Sequence, residues 1–88
     1  MWYVYILQSK VDGFIYRGMS ENPESRLIDH NKGKVKSTKP HRPYYKIYVE
    51  KCKNREEARK REKYLKSAAG RRFIKKYLRD TRSSLPDC

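Results

Sequence analysis

The sequence predicts an α+β domain: a small three-stranded antiparallel sheet flanked by helices, in the order β-β-α-β-α-α. Two runs rich in β-branched and aromatic residues flank Asp12-Gly13, a hairpin signal. A third such run follows a basic loop at 32–43. The remaining stretches open on cap residues, Asn22-Pro23 and Asn54, and carry apolar residues at helical spacing.

Residues 2–7, Trp-Tyr-Val-Tyr-Ile-Leu, suit a strand covered on both faces. Residues 14–20 form its hairpin partner, with Tyr16 and Gly18 on one face and Ile15, Arg17 and Met19 on the other. Asn22 caps a helix whose first residue is Pro23, running to about Asn31 and stopping near Gly33. The 32–43 loop carries Lys32, Lys34, Lys36, Lys39, His41 and Arg42. Residues 44–51 alternate, with Tyr45, Ile47 and Val49 expected on one face. Asn54 and Glu57 make a capping-box pattern that starts a helix reaching about Ser67. Gly70 is expected to break it, and residues 71–79 form a last short helix with Phe73, Ile74, Tyr77 and Leu78 apolar. Residues 1–79 thus make one domain, and the polar stretch 80–88 is expected to fray as a flexible tail.

Aliphatic residues are scarce, but eight tyrosines and one tryptophan argue for a folded core rather than disorder. The longest apolar run, residues 2–7, falls far short of the ~20 residues that span a bilayer. It lacks a basic leader, so a cytoplasmic protein with free thiols at Cys52 and Cys88 is expected, without membrane association. Two cysteines and two scattered histidines do not make a four-ligand zinc site. The net charge of +13 calls for a polyanion, and nucleic acid leads.

Three features invite a functional reading. Glu62 lies about 40° from Ala58 at the flank of the apolar stripe of its helix. It is either a surface acid paired with Lys66 or Arg59, or a metal ligand or general base at a cleft edge. Arg26 and His30 are four apart and share a face, either as a solvated polar surface or as a phosphate fork beside a titratable imidazole. Tyr3 and Tyr5 share one face of the first strand, and a hairpin brings Tyr16 near Tyr5, either as packing or as phenols lining a basic cleft.

Taken in order, these residues resemble the GIY-YIG nuclease domain, in its small stand-alone bacterial form. Tyr3-Val4-Tyr5 is similar to the family's first motif and Tyr16-Arg17-Gly18 to its second. Arg26, His30 and Glu62 match the helical arginine, the histidine or tyrosine, and the metal-binding glutamate. The likeness runs from about Trp2 to Leu78. It implies phosphodiester hydrolysis with one divalent metal, Mg²⁺ or Mn²⁺, held by Glu62. Tyr5, Tyr16, Arg26, His30 and Glu62 are then the catalytic candidates, with Tyr3 and Gly18 in support. The resemblance leaves open which tyrosine acts on the attacking water.

Two departures from the pattern stand out. Arg17 replaces an apolar middle residue, so it is expected to reach a sheet edge, find an acid or touch nucleic acid. The segment 71–75 lacks the asparagine that many larger members carry. Lys32, Lys34, Lys36, Lys39, Arg42, Arg59, Lys66, Arg71 and Arg72 are the candidate backbone contacts. They would position nucleic acid without reading bases. The expected activity is a nuclease of DNA, before RNA, in repair or processing, with structure-preferring or weak sequence selectivity and room for a protein partner that supplies specificity. The alternative is a non-catalytic nucleic-acid-binding module on the same fold.

Overall fold

The computed structural model describes residues 1–84. Three strands, β1 (Trp2–Ser9), β2 (Ile15–Ser20) and β3 (Tyr44–Cys52), form an antiparallel sheet in the order β2-β1-β3. Helix α1 (Pro23–Asn31) joins β2 to a loop whose 39–41 stretch is a single 3₁₀ turn, and α2 (Arg55–Lys66) and α3 (Ala68–Ser84) follow β3. The element order is the expected one.

Strand β1 is central because its residues can be buried on both faces. Val4, Tyr5, Ile6 and Leu7 are each 1% exposed or less. Removing one such side chain from water is worth roughly 1.5–3 kcal/mol. Val4 and Ile6 pack with Ala58 and Leu65 of α2 and Ile74 of α3. Tyr5 and Leu7 pack on the opposite face with Tyr44, Tyr16 and Leu27 of α1. The sheet therefore separates an α1 layer from an α2–α3 layer.

The hairpin turns through Gly13 at φ +78°, where the Asp12 carboxylate accepts from the Phe14 N–H at 3.0 Å. Asn22 caps α1 by accepting from the Ser25 N–H at 3.1 Å, and Asn54 caps α2 by accepting from the Glu57 N–H at 2.9 Å.

Strand β3 departs from simple alternation. A bulge opposite Ile6 and Leu7 lets consecutive residues Ile47 and Tyr48 both pack toward the α2–α3 layer. Tyr44 instead enters the α1-side cluster, and Tyr45 and Val49 are exposed, so the expected face of Tyr45, Ile47 and Val49 does not form.

The helical break also falls elsewhere. It is at Ser67, which ends α2 in an extended conformation and whose hydroxyl accepts from the Gly70 N–H at 3.3 Å to start α3. Gly70 lies inside α3 because that helix crosses α2 there. A Cβ on it would strike the Tyr64 carbonyl and the Leu65 backbone. Phe73, Ile74 and Leu78 face the core, and Tyr77 stacks edge-on against Tyr48 at 5.2 Å. Residues 80–84 continue α3, and the rest of the expected tail, 85–88, lies outside the described residues. Cys52 is a buried free thiol, and Cys88 lies outside the described residues.

Helix propensity alone would favour Gly70→Ala by about 1 kcal/mol. The overlap is with backbone, which cannot swing aside, so the substitution is expected to destabilise by roughly 1–3 kcal/mol in chemical denaturation. An unchanged or raised midpoint would mean that α3 can retreat from α2 without loss.

Candidate functional site

The α1 face of the sheet is shaped by one absent side chain. Tyr5 lies directly across from Gly18, and a Cβ at Gly18 would come within 2.6 Å of the Tyr5 hydroxyl and 2.8 Å of the Tyr16 ring. Without it, the Tyr5 ring lies over β2, 6.2 Å from the Tyr16 ring between centroids. Helix α1 then brings Arg26 and His30, one turn apart, down onto these phenols. Leu27 holds the helix there by packing against Tyr5, Leu7 and Tyr44.

His30 is the hub. It is wholly buried, with ring centroids 4.6 Å from Tyr16, 5.9 Å from Tyr44 and 6.3 Å from Tyr5. His30 is therefore no part of a solvated face, whereas the Arg26 side chain stays 40% exposed. The Nδ1 of His30 lies 2.7 Å from the Thr38 hydroxyl. That hydroxyl donates to the Val35 carbonyl at 3.2 Å, so toward His30 it accepts, and Nδ1 carries the proton. Nε2 is left with its lone pair toward the Tyr5 hydroxyl, 3.4 Å away, which donates to it. The Tyr5 oxygen in turn faces the Arg26 guanidinium. One polarised chain thus runs from the 32–43 loop through His30 and Tyr5 to Arg26.

The electrostatics follow from burial. Desolvation pushes the Tyr5 phenol up to about 12, with the neighbouring Arg26 opposing. Contact with Tyr5 holds Arg26 above the usual arginine range. Burial first, and the charge of Arg26 second, push His30 below its ordinary value, so at neutral pH it is an uncharged base. Arg26 also has the Asp29 carboxylate at 3.7 Å. Tyr5 is only 1% exposed, whereas Tyr16 is half-buried and reaches the surface.

Thr38, Tyr44 and Asn31 belong to this site although the sequence did not single them out. Tyr44 donates its hydroxyl to the Thr38 carbonyl at 3.1 Å. The Asn31 side chain bonds both backbone groups of Tyr44, at 2.6 and 3.2 Å, and ties the end of α1 to β3. No periodic pattern marks such contacts, because they depend on the path of an irregular loop. That loop is itself fastened to the hairpin: His41 bonds Asp12 at 2.6 Å and stacks on Phe14 at 4.1 Å.

The other candidates lie apart from this cluster. Tyr3 shares the α1 face but lines a separate groove of about 340 Å³ with Pro23, Glu24, Lys46 and Val49. Glu62 stands on α2, in the opposite layer. It is half-buried, and among the described residues its ion-pair partner is Lys66, at 3.8 Å. No hydrogen bond or ion pair described here joins it to Tyr5, Tyr16, Arg26 or His30. Lys32, Lys34, Lys36, Lys39, Arg42, Arg59, Lys66, Arg71 and Arg72 are all exposed. Arg17 finds no acid among the described residues.

Replacing Thr38 with Val keeps the shape and orphans the buried His30 N–H, which is expected to cost about 1–3 kcal/mol. Because folding favours neutral His30, the unfolded chain takes up the proton first as pH falls below about 6.5. Stability is therefore full above that pH and declines as pH falls toward the lower folded value. Thermal melts between about pH 7.5 and 5.5 should show this decline, and His30→Gln should flatten it. An equal decline in His30→Gln would assign it to other groups.

The GIY-YIG catalytic domain family matches residues 1–78. The chain is 41% identical over 68 residues to a UPF0213 protein of Desulfotalea psychrophila, covering 74% of this chain and 60% of that protein, so less than two thirds of that relative is spanned. It is 38% identical over 74 residues to a UPF0213 protein of Staphylococcus saprophyticus, covering 83% of this chain and 89% of that one. A UPF0213 protein of Clostridium perfringens is 42% identical over 67 residues, covering 75% and 71%. No solved structure matches the chain. With two tyrosine motifs paired on adjacent strands and an arginine and a histidine lowered onto them from α1, the chain belongs to the GIY-YIG catalytic domain family.

Proposed function

We propose that this protein is a metal-dependent nuclease that hydrolyses phosphodiester bonds of nucleic acid, DNA before RNA. The observation that carries the reading is the gathering of Tyr16, Arg26 and His30 around buried Tyr5 in a chain of net charge +13. The family implies a nuclease-like fold and a nucleic-acid substrate in general.

Arg26 binds a nonbridging phosphate oxygen and offsets the charge that grows on it in the transition state. It is aimed by Tyr5, whose oxygen faces the guanidinium and which is too enclosed to meet substrate itself. Tyr16 is the phenol able to orient the attacking water. Free tyrosine loses its proton near pH ~10, so Tyr16 needs a neighbouring cation to act as a base, and Arg26 is the cation that acts on it from α1. His30 stays neutral and fixes the orientation of Tyr5.

Glu62 suits a divalent ion of the Mg²⁺ or Mn²⁺ class. Its carboxylate is half-buried, and Lys66 at 3.8 Å is beyond hydrogen-bond length, so its lone pairs remain free to coordinate. Among the described residues there is no group of three or more acidic, histidine or cysteine side chains that could cage a metal. A single carboxylate completed by water and phosphate oxygens is an ordinary arrangement for Mg²⁺. When bound, such an ion supplies Lewis acidity at the phosphoryl group and charge for the leaving oxygen. Strand β2 is an outer strand touched by α1 from one face and α2 from the other, so its free edge is where substrate could meet both layers.

The exposed lysines and arginines of the 32–43 loop, α2 and α3 grip the backbone without reading bases. Selectivity is then for structure, or comes from a protein partner.

Purified chain should cut nicked or branched DNA with Mg²⁺ or Mn²⁺. Glu62→Gln should abolish cutting with an unchanged melting temperature, and Arg26→Ala should lower it roughly 100- to 1000-fold. Full activity in Glu62→Gln would overturn the metal role. Wild-type binding without cleavage on any substrate would return the chain to the binding-module reading.

A further inference from the structure

The 32–43 loop has almost no core of its own. Of its residues only Thr38 is buried, yet that side chain meets His30 at 2.7 Å. A hydrogen bond this short leaves a loop little room to wander. The backbone around Thr38 is wound tightly. The Thr38 and Lys39 N–H groups both donate to the Val35 carbonyl, at 3.2 and 3.0 Å, and the His41 N–H donates to the Thr38 carbonyl at 3.1 Å. Thr38 and His41 are thus fixed to one turn. Thr38 reaches inward from it to His30, and His41 reaches outward to the β1–β2 hairpin.

The outward contact is made twice over. Asp12 divides its carboxylate: Oδ1 accepts from the Phe14 N–H at 3.0 Å, and Oδ2 accepts from the His41 Nδ1 at 2.6 Å. The His41 bond first, and the Phe14 N–H second, hold the Asp12 carboxyl below the usual carboxylate range. The His41 ring also lies flat on the Phe14 ring, 4.1 Å between centroids and 8° between planes. Phe14 is 41% exposed and the Asp12 side chain 45%, so this pairing at the surface adds little to stability. What it fixes is position. Phe14 is two residues ahead of Tyr16, whose ring centroid lies 4.6 Å from that of His30. The turn that holds His30 from one side is thereby tied to the strand that carries the phenol on its other side.

We propose that Asp12, Phe14 and His41 are positioning residues for the tyrosine site: they clasp the 35–41 turn to the hairpin, so that Thr38 holds His30 in the place and tautomer against which Tyr16 is set. The role in catalysis rests on the nuclease reading above, but the clasp can be read at His30 without cleavage. The loop's charge gives the clasp its use. Lys36 and Lys39 flank Thr38 and are exposed, as are Lys34 and Arg42. Phosphates drawn to these cations would pull on the turn that carries Thr38. The clasp passes that load to the hairpin, and nucleic acid is gripped without His30 losing its partner.

The test uses the full chain with isotope-labelled histidine, read by nuclear magnetic resonance without metal or DNA. Wild-type His30 should show a single tautomer with its proton on Nδ1. His41→Ala and Phe14→Ala should shift the His30 ring nitrogens toward a mixture of tautomers and speed exchange of the ring N–H with water. Phe14→Tyr keeps the stacking face and should keep the wild-type signals. In cleavage of nicked DNA with Mg²⁺, the two alanine variants should lower kcat roughly 10- to 100-fold with KM little changed, because the loop cations remain, and Phe14→Tyr should match wild type. Should His41→Ala not fold, Phe14→Ala, at an exposed position, gives the same readout. Unchanged His30 signals in the alanine variants would overturn the clasp even if the enzyme cuts DNA. Altered signals with wild-type kcat would make it a structural tie and overturn the positioning role. Altered signals in a protein whose wild type never cuts would uphold the clasp on His30 and overturn the nuclease.

Discussion

The space left by the missing side chain at Gly18 is the constraint from which the α1 face follows. The Tyr5 ring fills it, and that ring could not lie over β2 if any larger residue stood there. Once Tyr5 is in place, its hydroxyl meets the imidazole of His30 and the guanidinium of Arg26. His30 is locked from behind by Thr38, so the proton position on the ring is set by a hydroxyl that has already spent its own hydrogen on Val35. Low dielectric strengthens each of these contacts, and it also keeps His30 neutral and Tyr5 protonated. The cluster works as a mount. Its two outward groups, Tyr16 and Arg26, are held by two inward ones.

This arrangement distinguishes the two motif tyrosines by burial alone. Both phenols lie on one face of one hairpin, and the sequence treats them alike. The central strand seals Tyr5, while the edge strand leaves Tyr16 half-open. The same central and edge difference explains Arg17. A guanidinium at that register of β1 would be buried on all sides; on β2, an outer strand, Arg17 is only half-buried.

Much of this could be read before any coordinates. Strand alternation placed Tyr16 and Gly18 together, the Asn22-Pro23 start fixed the phase of α1, and that phase put Arg26 and His30 on one side. Local rules failed where two elements press together. Gly70 looks like a helix breaker because propensity sees only its own helix, whereas its role is the crossing of α2 and α3. Ser67, an ordinary cap residue, makes the break instead. The β3 bulge puts Ile47 and Tyr48 on one side, which no alternating pattern encodes. Nothing local marks Thr38, because it sits in a loop of lysines, and the loop's path alone carries it to His30. Helix phase puts Glu62 at the flank of the apolar stripe of α2, and it is half-buried there.

In the function proposed, Glu62 from one layer and Arg26 with Tyr16 from the other act on the same phosphodiester at the free edge of β2. Anomalous diffraction from crystals grown with Mn²⁺ and an uncleavable phosphorothioate oligonucleotide tests it most directly. A manganese peak is expected at the Glu62 carboxylate, sharing its phosphate with the Arg26 guanidinium and with Tyr16 facing the same phosphorus. A manganese peak elsewhere, or a phosphate at Arg26 with none at Glu62, would contradict it.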